Sequence, residues 1–503
     1  MKIKLFETLI ETVSPKIAYK RQQFREAMGR SYDAAQRGRR TKNWYTSSAS
    51  AESENAYQLE TIRNRSRDLI RNDAYASRLA SLIPSNVVAG GITCNIRKGD
   101  QVGDNDVQRA WDEWAQSTDC DFEGRVNLSG LQSQVMRCVV ESGEGLVRIR
   151  RSSNGEVPLS LQVIEPDHIA SSAVIANKAS GNRVINGVEL DRQGRVVAYY
   201  LYDEHPGASG QNVQNIRDNY TPKRVLAKNV LHIYRRDRPG QLRGVPWLHP
   251  VIIPLRELNE YQDAYLVRAK ISACFSAFIY DSESPDNLGL EMSGGFGLEK
   301  LAPGIIEHLP PGKDIKFADP KGEGGEQYKH FISTHLKSIA SAVGVSYEAL
   351  SGDFSETNFS SARMGDLQFR RNIEAWQKNM LNPQLNDPVF KLFRSALALS
   401  RGVDVRGTSA SWTPPKRDTI DPTKEIPAKI KEVRSGLATL SDAVRQSGKD
   451  PKKHFEELAS DKKELEKLGL ILDSDASQTT LAGQLQIEVD SENSEDAEAS
   501  SEG

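Results

Sequence analysis

The chain has 503 residues, 38% of them hydrophobic, with 66 Lys and Arg against 68 Asp and Glu, a formal charge of −2. That length calls for more than one compact unit, and the near-neutral balance argues against a protein whose whole surface grips nucleic acid. The cysteines Cys94, Cys120, Cys138 and Cys274 stand far apart with no CxxC, so a zinc ribbon is excluded and a disulfide scaffold is not expected. Reduced, mostly buried thiols of a cytosolic protein fit that usage. No apolar run is long enough for a membrane span, and acids interrupt the amino-terminal stretch before a signal-peptide core can form.

Charge is distributed unevenly. Residues 1–43 carry eleven Lys and Arg and four Asp and Glu, whereas residues 471–503 carry nine acids and no base. The stretch after Val489 has no apolar side chain larger than alanine and cannot make a core. Both ends are expected as solvated arms, the basic one suited to a partner or nucleic acid and the acidic one to repelling it.

Between the arms, Leu59, Ile62, Leu69 and Ile70 fall at helical spacing over 55–83, broken at Asn72-Asp73, where Asp73 caps a second helix that Pro84 stops. Residues 105–116 and 128–141 read as two more helices, the latter started by Asn127 or Ser129. Short segments rich in β-branched and aromatic residues come next, at 145–151, 159–164, 187–190, 196–202 and 230–234. Asp191–Gly194 is a hairpin turn between two of them, with Gly194 at positive φ. From Val251 an amphipathic helix carries Leu255, Leu258, Tyr261 or Gln262, Tyr265 and Ala269 on one stripe. Residues 281–325, rich in Gly, Pro and Asp, form a small lobe or long loop. Residues 328–343 make a helix with Ile332, Leu336, Ile339 and Val343 on one side and His330, Ser333, Thr334, Lys337, Ser338 and Ser341 on the other. A long helix over 359–382 points Phe369, Ile373, Trp376 and Met380 inward and Arg363, Arg370, Arg371 and Lys378 outward, limited by Pro383 and Pro388. Helices at 423–434, 439–447 and 451–468 close the ordered part. Helices, then strands, then helices again predict an α+β fold.

No catalytic constellation emerges. There is no GxxxxGK[ST] loop, and the glycines near 294–297 and 322–325 lack a strand-to-helix context. His330 and His335 are five apart and face different ways on a helix, which disfavours a metal pair. Glu165, Asp167 and His168 bring two acids and an imidazole together and are the best material for a nuclease or maturation protease, but no lysine completes such a site nearby and a surface turn is the better reading. Glu141–Glu144 reads as a helix end leading into a strand. The six tryptophans, Trp44, Trp111, Trp114, Trp247, Trp376 and Trp412, are scattered as core or interface anchors, not as a base-stacking platform. No cofactor or metal is expected.

Several stretches, in order, resemble the lambda-type family of tailed-phage portal proteins: Ser66–Ala76 (SRDLIRNDAYA), Val87–Ile92 (VVAGGI), Glu141–Arg148 (ESGEGLVR) and Leu161–His168 (LQVIEPDH). Further on come Gly187–Tyr199 with His205–Gly207, Val230–Arg235 (VLHIYR), Arg243–Leu248 (RGVPWL), Gly344–Asp353 (GVSYEALSGD) and Asn358–Arg363 (NFSSAR). Each is weak alone, and the ordered set over about 55–380 is specific. The resemblance implies a portal-type subunit with a mixed wing, helical stem, small clip and helical crown. It assembles as a ring, usually of twelve copies, at one capsid vertex of the virion, built in the host cytoplasm. Through the ring DNA enters during packaging and leaves at infection. The implied partners are other copies of the chain, double-stranded DNA, the terminase large subunit, the major capsid or scaffold protein and a head-completion or tail adaptor, with no membrane. By order, the basic arm is 1–43, the wing 44–245, the stem helices 246–272 and 326–349 around a clip at 273–325, a tunnel loop and long helix 350–415, the crown 416–488 and the acidic tail 489–503. DNA-facing candidates are Lys337, the loop residues Ser355, Glu356, Thr357, Asn358, Ser360 and Ser361, then Arg363, Arg370 and Arg371. Ion pairing of these arginines with acids competes with DNA contact. A non-conducting capsid or tail adaptor is the alternative, and a nuclease or maturation protease is the weaker one. A channel with few phosphate contacts per subunit lets a duplex slide, because each neutralised phosphate adds grip through counterion release.

Overall fold

The computed structural model describes residues 45–98, 101–102, 105–152, 155–171, 181–208, 221–274, 325–355, 359–416 and 421–470, with isolated positions before 45. The expected basic arm, the acidic tail, Trp44, most of the proposed clip and Glu356–Asn358 lie outside the described residues. Residues 1–50 and 51–503 separate as two units.

In the second unit a short helical stretch at Ala51–Asn55 leads into helices α1 (Leu59–Asn72) and α2 (Ala74–Val87). Asp73 accepts a hydrogen bond from the Ala76 amide (2.7 Å) and starts α2 as the sequence predicts. Pro84 does not stop that helix, which runs on to Val87 with Pro84 buried in the core. Strand β1 (Thr93–Lys98) and the short β2 (Gln101–Val102) precede α3 (Asn105–Gln116) and α4 (Leu128–Ser142). Asn127 caps α4 through the Gly130 amide. Next come strands β3 (Glu144–Arg150), β4 (Ser160–Ile164), β5 (Arg183–Ile185), β6 (Val188–Leu190), β7 (Val196–Leu201), β8 (Lys223–Leu226) and β9 (Val230–Tyr234). They form two antiparallel sheets, ordered β4-β3-β9 and β5-β6-β7-β8. The predicted turn is present: the Asp191 carboxylate accepts from the Gln193 and Arg195 amides, and Gly194 has φ +81.

The remainder is helical: α5 (Ile252–Cys274), α6 (Gly325–Val343), α7 (Tyr347–Ser351), α8 (Phe359–Trp376), a π-helical stretch (Gln377–Asn386), α9 (Asp387–Arg401), then β10 (Thr408–Thr413), α10 (Pro422–Arg434), α11 (Leu440–Gln446) and α12 (Pro451–Leu468). The expected stop at Pro383 and Pro388 does not occur. The backbone widens into a π turn around Pro383, relieving the ring's clash with the carbonyl one turn back, and Pro388 sits in the first turn of α9 where no N–H is needed. Side-chain amides anchor the widened turn: Gln377 donates to the Val87 carbonyl (2.6 Å), Gln384 accepts from the Tyr234 amide (2.9 Å) and Asn386 accepts from Gln132 (2.9 Å).

Strand β10 is absent from the sequence-based expectation. It pairs antiparallel with β1 along its whole length, Thr93 opposite Thr413 and Lys98 opposite Thr408. Behind it Trp111 meets Phe390, Phe393 and Trp412 edge-on at 5.0–6.0 Å, which is the favoured aromatic geometry. Trp114 and Trp412 spend their indole N–H groups on the Leu159 carbonyl and the Asp387 carboxylate. This core takes in α2–α4, the segment 247–258, α6, α8 and α9, and a second cluster lies among β3, β4, β6, β7 and β9. On the predicted stripe of α5, Leu255 and Leu258 are buried, but Tyr261 and Ala269 are exposed. The thiols of Cys120 and Cys138 are pushed up to about 12 by burial, fitting inert reduced side chains.

Two glycines permit a backbone contact that larger residues forbid. Gly143 ends α4 at φ +91, and a Cβ on Gly244 would stand within 2.1 Å of the Gly143 carbonyl oxygen. Gly244→Ala is expected to destabilise the protein by about 1–3 kcal/mol through this overpacking, read as a lower urea midpoint, whereas alanine at Gly90, which has open space and no positive φ, leaves the midpoint near that of the parent.

Candidate functional site

Two places qualify, a buried charged junction and the segment that carries the DNA-facing candidates. The junction centres on Glu144, the first residue of β3, whose side chain is fully buried. Strand β3 sets it opposite Tyr234 of β9 and against the 243–244 loop. Arg63 from α1 donates to its Oε1 (2.9 Å), Arg243 donates through Nε and Nη2 (2.9 and 2.5 Å), the Gly244 amide donates to Oε2 (2.9 Å), and His232 Nε2 of β9 lies 2.8 Å from Oε2. Because a carboxylate only accepts, His232 carries its proton on Nε2. Burial alone would raise the Glu144 carboxyl, but the Arg243 charge and the His232 hydrogen bond outweigh it and hold it well below the ordinary value of 4.5. Arg243 extends the junction to Ser171 Oγ and the Asn186 carbonyl. The buried Glu52 accepts from the Leu242 and Arg243 amides and from Asn186.

Beside this junction lie the residues weighed as an enzyme site. Glu165 and Asp167 do come together, with His205 instead of His168, their ligating atoms all within 4.8 Å. His168 turns Nδ1 to the Tyr202 carbonyl (3.0 Å). Arg67 Nη2 bridges Asp167 (2.6 Å) and Glu165 (3.2 Å), and Arg63 reaches Asp167 (3.5 Å), so guanidinium cations occupy the carboxylates' open side. Burial works to raise Asp167, but the Arg67 hydrogen bond and the Arg63 charge hold it below the usual carboxylate range. This is the chemistry of an ion-pair junction tying α1 to the turn after β4. The pattern ESGEG, an acid with glycine on both sides before an apolar strand, is the available signal for Glu144, and by spacing alone it reads as no more than a helix end.

The other segment joins the end of α6 to the start of α8. Gly344, at φ +86, turns the chain out of α6, and Asn372 of α8 donates to its carbonyl (2.8 Å). Ser346 caps α7, and Arg78 donates to the Ala349 carbonyl. Lys337 is exposed near the end of α6, its ammonium 5.2 Å from the centre of the Tyr347 ring. Ser355 is exposed and bonds Asp353 through both its amide and hydroxyl, while Ser360 and Ser361 are exposed in the first turn of α8. Those bonds hold the Asp353 carboxyl below its usual range. Arg370 pairs with Asp366 (2.5 Å) and Arg363 approaches Glu425 (3.9 Å), so ion pairs within the chain engage these two, and Arg371 is exposed. Phe369, Ile373 and Met380 are buried as expected, with Trp376 half-buried against Trp247. Between α5 and α6 an open groove of about 730 Å³ is bordered by Tyr261, Phe331, His330 and His335, so the two histidines share a groove although the wheel sets them apart.

A sequence profile described as phage portal protein, lambda family, matches residues 37–377. The chain belongs to that family. It is 28% identical over 465 residues to the "Probable portal protein" of Halomonas phage phiHAP-1, covering 88% of each chain. It is 23% identical to the "Portal protein" of Escherichia phage N15 and 22% identical to "Portal protein B" of Escherichia phage lambda, covering 86% of this chain and 89% of each relative. Among solved structures, it is similar to a chain from the neck of an empty gene transfer agent particle and to one from the virion of the native particle, each with a TM-score of 0.41, 14% identity and coverage of 78% of this chain and 94% of that one. The portal reading, drawn from ordered motifs over about 55–380, is therefore supported by an independent match to nearly the same span. The charged junction lies inside that span, and helices α10–α12 lie beyond it.

Removing the Glu144 carboxylate leaves two buried guanidiniums without their partner, so Glu144→Ala is expected to cost about 3–5 kcal/mol. The folded carboxyl titrates below its unfolded value, so its contribution is fully present above pH 4.5 and declines as the pH falls toward the depressed folded value. Urea midpoints at pH 7 and pH 4 check this: the parent chain loses stability between them, and Glu144→Gln, already weaker at pH 7, loses less.

Proposed function

We propose that copies of this chain close into a ring, with twelve as the expected number, at one vertex of a phage capsid, and that the ring is the channel through which double-stranded DNA enters and leaves. Membership of the lambda portal family across residues 37–377 carries this reading. Two structural features support it. Helices α5 and α6 flank residues 275–324 as a stem flanks a clip, and α6, α7 and α8 present a short polar turn tied to the core at Gly344 and Asn372. In this reading the segment through β9 is the wing, α5 and α6 are the stem, 273–325 is the clip, 350–415 holds the tunnel loop and long helix, and α10–α12 are the crown.

Lys337, Ser355–Ser361 and Arg371 face the duplex in this reading, while Arg363 and Arg370 act chiefly as intrachain ion pairs. A few cations per subunit favour sliding over capture, since every phosphate contact adds salt-sensitive grip. Terminase, the capsid or scaffold protein and an adaptor are the proposed docking partners, and the virion is the proposed destination. Among the described residues no helix is long and apolar enough to cross a membrane.

An axial view of purified protein by electron microscopy tests the ring: a central hole at least as wide as a duplex, about 20 Å, is expected for conduction, on the scale set by a roughly 12 Å major groove. A narrower pore in every assembled state favours the non-conducting adaptor. Deleting 355–361 is expected to leave ring mass unchanged and abolish DNA packaging in an in vitro assay, and normal packaging by that variant refutes the tunnel-loop assignment. Truncation after Val489 is expected to leave ring formation intact, because the removed stretch has no apolar anchor.

A further inference from the structure

Helix α10 carries an apolar face that is open among the described residues. On its wheel Ile426, Ile430 and Val433 fall together, with Pro422 and Thr423 beside them and no charge between. Ile426 and Ile430 are 51% and 50% exposed, and no residue of the helix is buried. Lys429 borders the face on one side and Arg434 on the other, with Pro427 and Lys431 next round beyond Arg434. Beyond Lys429 comes Glu425, which is turned to Arg363 of α8 (3.9 Å). Among the described residues no acid pairs with Lys429, Lys431 or Arg434. An open apolar stripe between unpaired cations fits a segment that is apolar and acidic and carries no base.

The chain itself supplies such a segment. Residues 471–503 follow α12 and contain nine acids and no base. Within them Leu485, Ile487 and Val489 alternate with Gln486, Glu488 and Asp490, so 485–490 in extended form has one apolar row and one polar, mostly acidic row. Successive apolar residues of that row stand about 6.7 Å apart, close to the rise of about 6 Å from Ile426 to Ile430. The reach is sufficient. Helix α12 has 18 residues, about 27 Å of length, and the stretch 471–484 spans up to about 46 Å when extended. That is enough to return along α12 toward α10.

We propose that residues 485–490 lie extended along α10 of the same chain, with the apolar row on Ile426, Ile430 and Val433. Lys429 and Arg434 fold over the two edges to meet Glu488 and Asp490, as long cationic side chains do while their stems cover apolar surface. The occupant is a segment of this chain, and the contact does not depend on how many copies assemble. Helix α10 therefore carries its own cover, and any other apolar partner reaches it only after that segment leaves.

The test uses the full chain. Deleting 485–490 alone is expected to speed amide hydrogen exchange over 422–434 at least tenfold, and equal exchange in the parent and the deletion overturns the proposal. Charge reversal separates the contact from simple weakening of the helix. Lys429→Glu with Arg434→Glu is expected to speed the same exchange, and adding Glu488→Lys with Asp490→Lys is expected to restore protection. A helix weakened only by its own substitutions is not rescued by changes in a remote segment, so failure of that rescue also overturns the contact. Ile430→Cys with Ile487→Cys reports which chain supplies the segment, with the oxidised parent as the control for native thiols. A disulfide within one chain is expected. Disulfides that join separate chains place the segment on another copy and overturn the same-chain assignment, and no disulfide at all overturns the seating on Ile430.

Discussion

A carboxylate taken out of water must be met by cations and N–H groups from whatever the chain brings near it, and Glu144 imposes that condition on the whole mixed region. Its partners come from α1, β9 and the 243–244 loop, and Arg243 passes the connection on to Ser171 and Asn186. These elements are distant in sequence, with Arg63 and Arg243 on either side of both sheets. An arrangement that parted these elements would leave the buried carboxylate or a buried guanidinium without its partner, so the junction ties them to one another. The neighbouring pairing of Arg63 and Arg67 with Asp167 and Glu165 extends the same logic to the surface.

The helical half is organised differently. There the fixed points are side-chain amides and aromatic edges: Gln377, Gln384 and Asn386 hold the widened turn around Pro383, and Trp111 packs among Phe390, Phe393 and Trp412. What these contacts leave uncovered is informative. Among the described residues, the aromatic groove of α5 and α6 and the leucines of α10–α12 are left open, and they lie outside the junction centred on Glu144. A subunit of a ring needs this division, with one part that completes itself and another that does so with neighbours.

Local chemistry is legible in the sequence wherever a short-range rule operates. Asp73, Asn127 and Gly194 act as cap and turn residues, and the strands at 196–201 and 230–234 arise from β-branched and aromatic runs. Proline rules are too strict for this chain: Pro84 and Pro383 sit inside helical structure because packing and a π turn absorb the lost hydrogen bond. β10 is hidden because Thr408–Thr413, small and polar apart from Trp412, becomes a strand through β1, which is remote in sequence. Of the candidate site residues, Lys337 and Ser355 lie exposed as their polar surroundings suggest, but the engagement of Arg370 by Asp366 depends on rotamers that spacing alone does not determine. Glu144 is not recognisable locally because burial of a charge depends on partners that arrive from elsewhere in the chain.

The β1–β10 ladder has a consequence for biosynthesis. Asn95 and its partner Thr413 are separated by 318 positions, which at about 5–20 residues per second leaves an interval of tens of seconds on the ribosome. Throughout that wait the nascent amino-terminal strand presents an open edge to whatever else is being translated nearby. The short β2, paired at its far end through Arg97 and Lys98, shields part of the other side meanwhile. Completion of the sheet is thus a late checkpoint: the polypeptide closes on itself only after most of it has emerged.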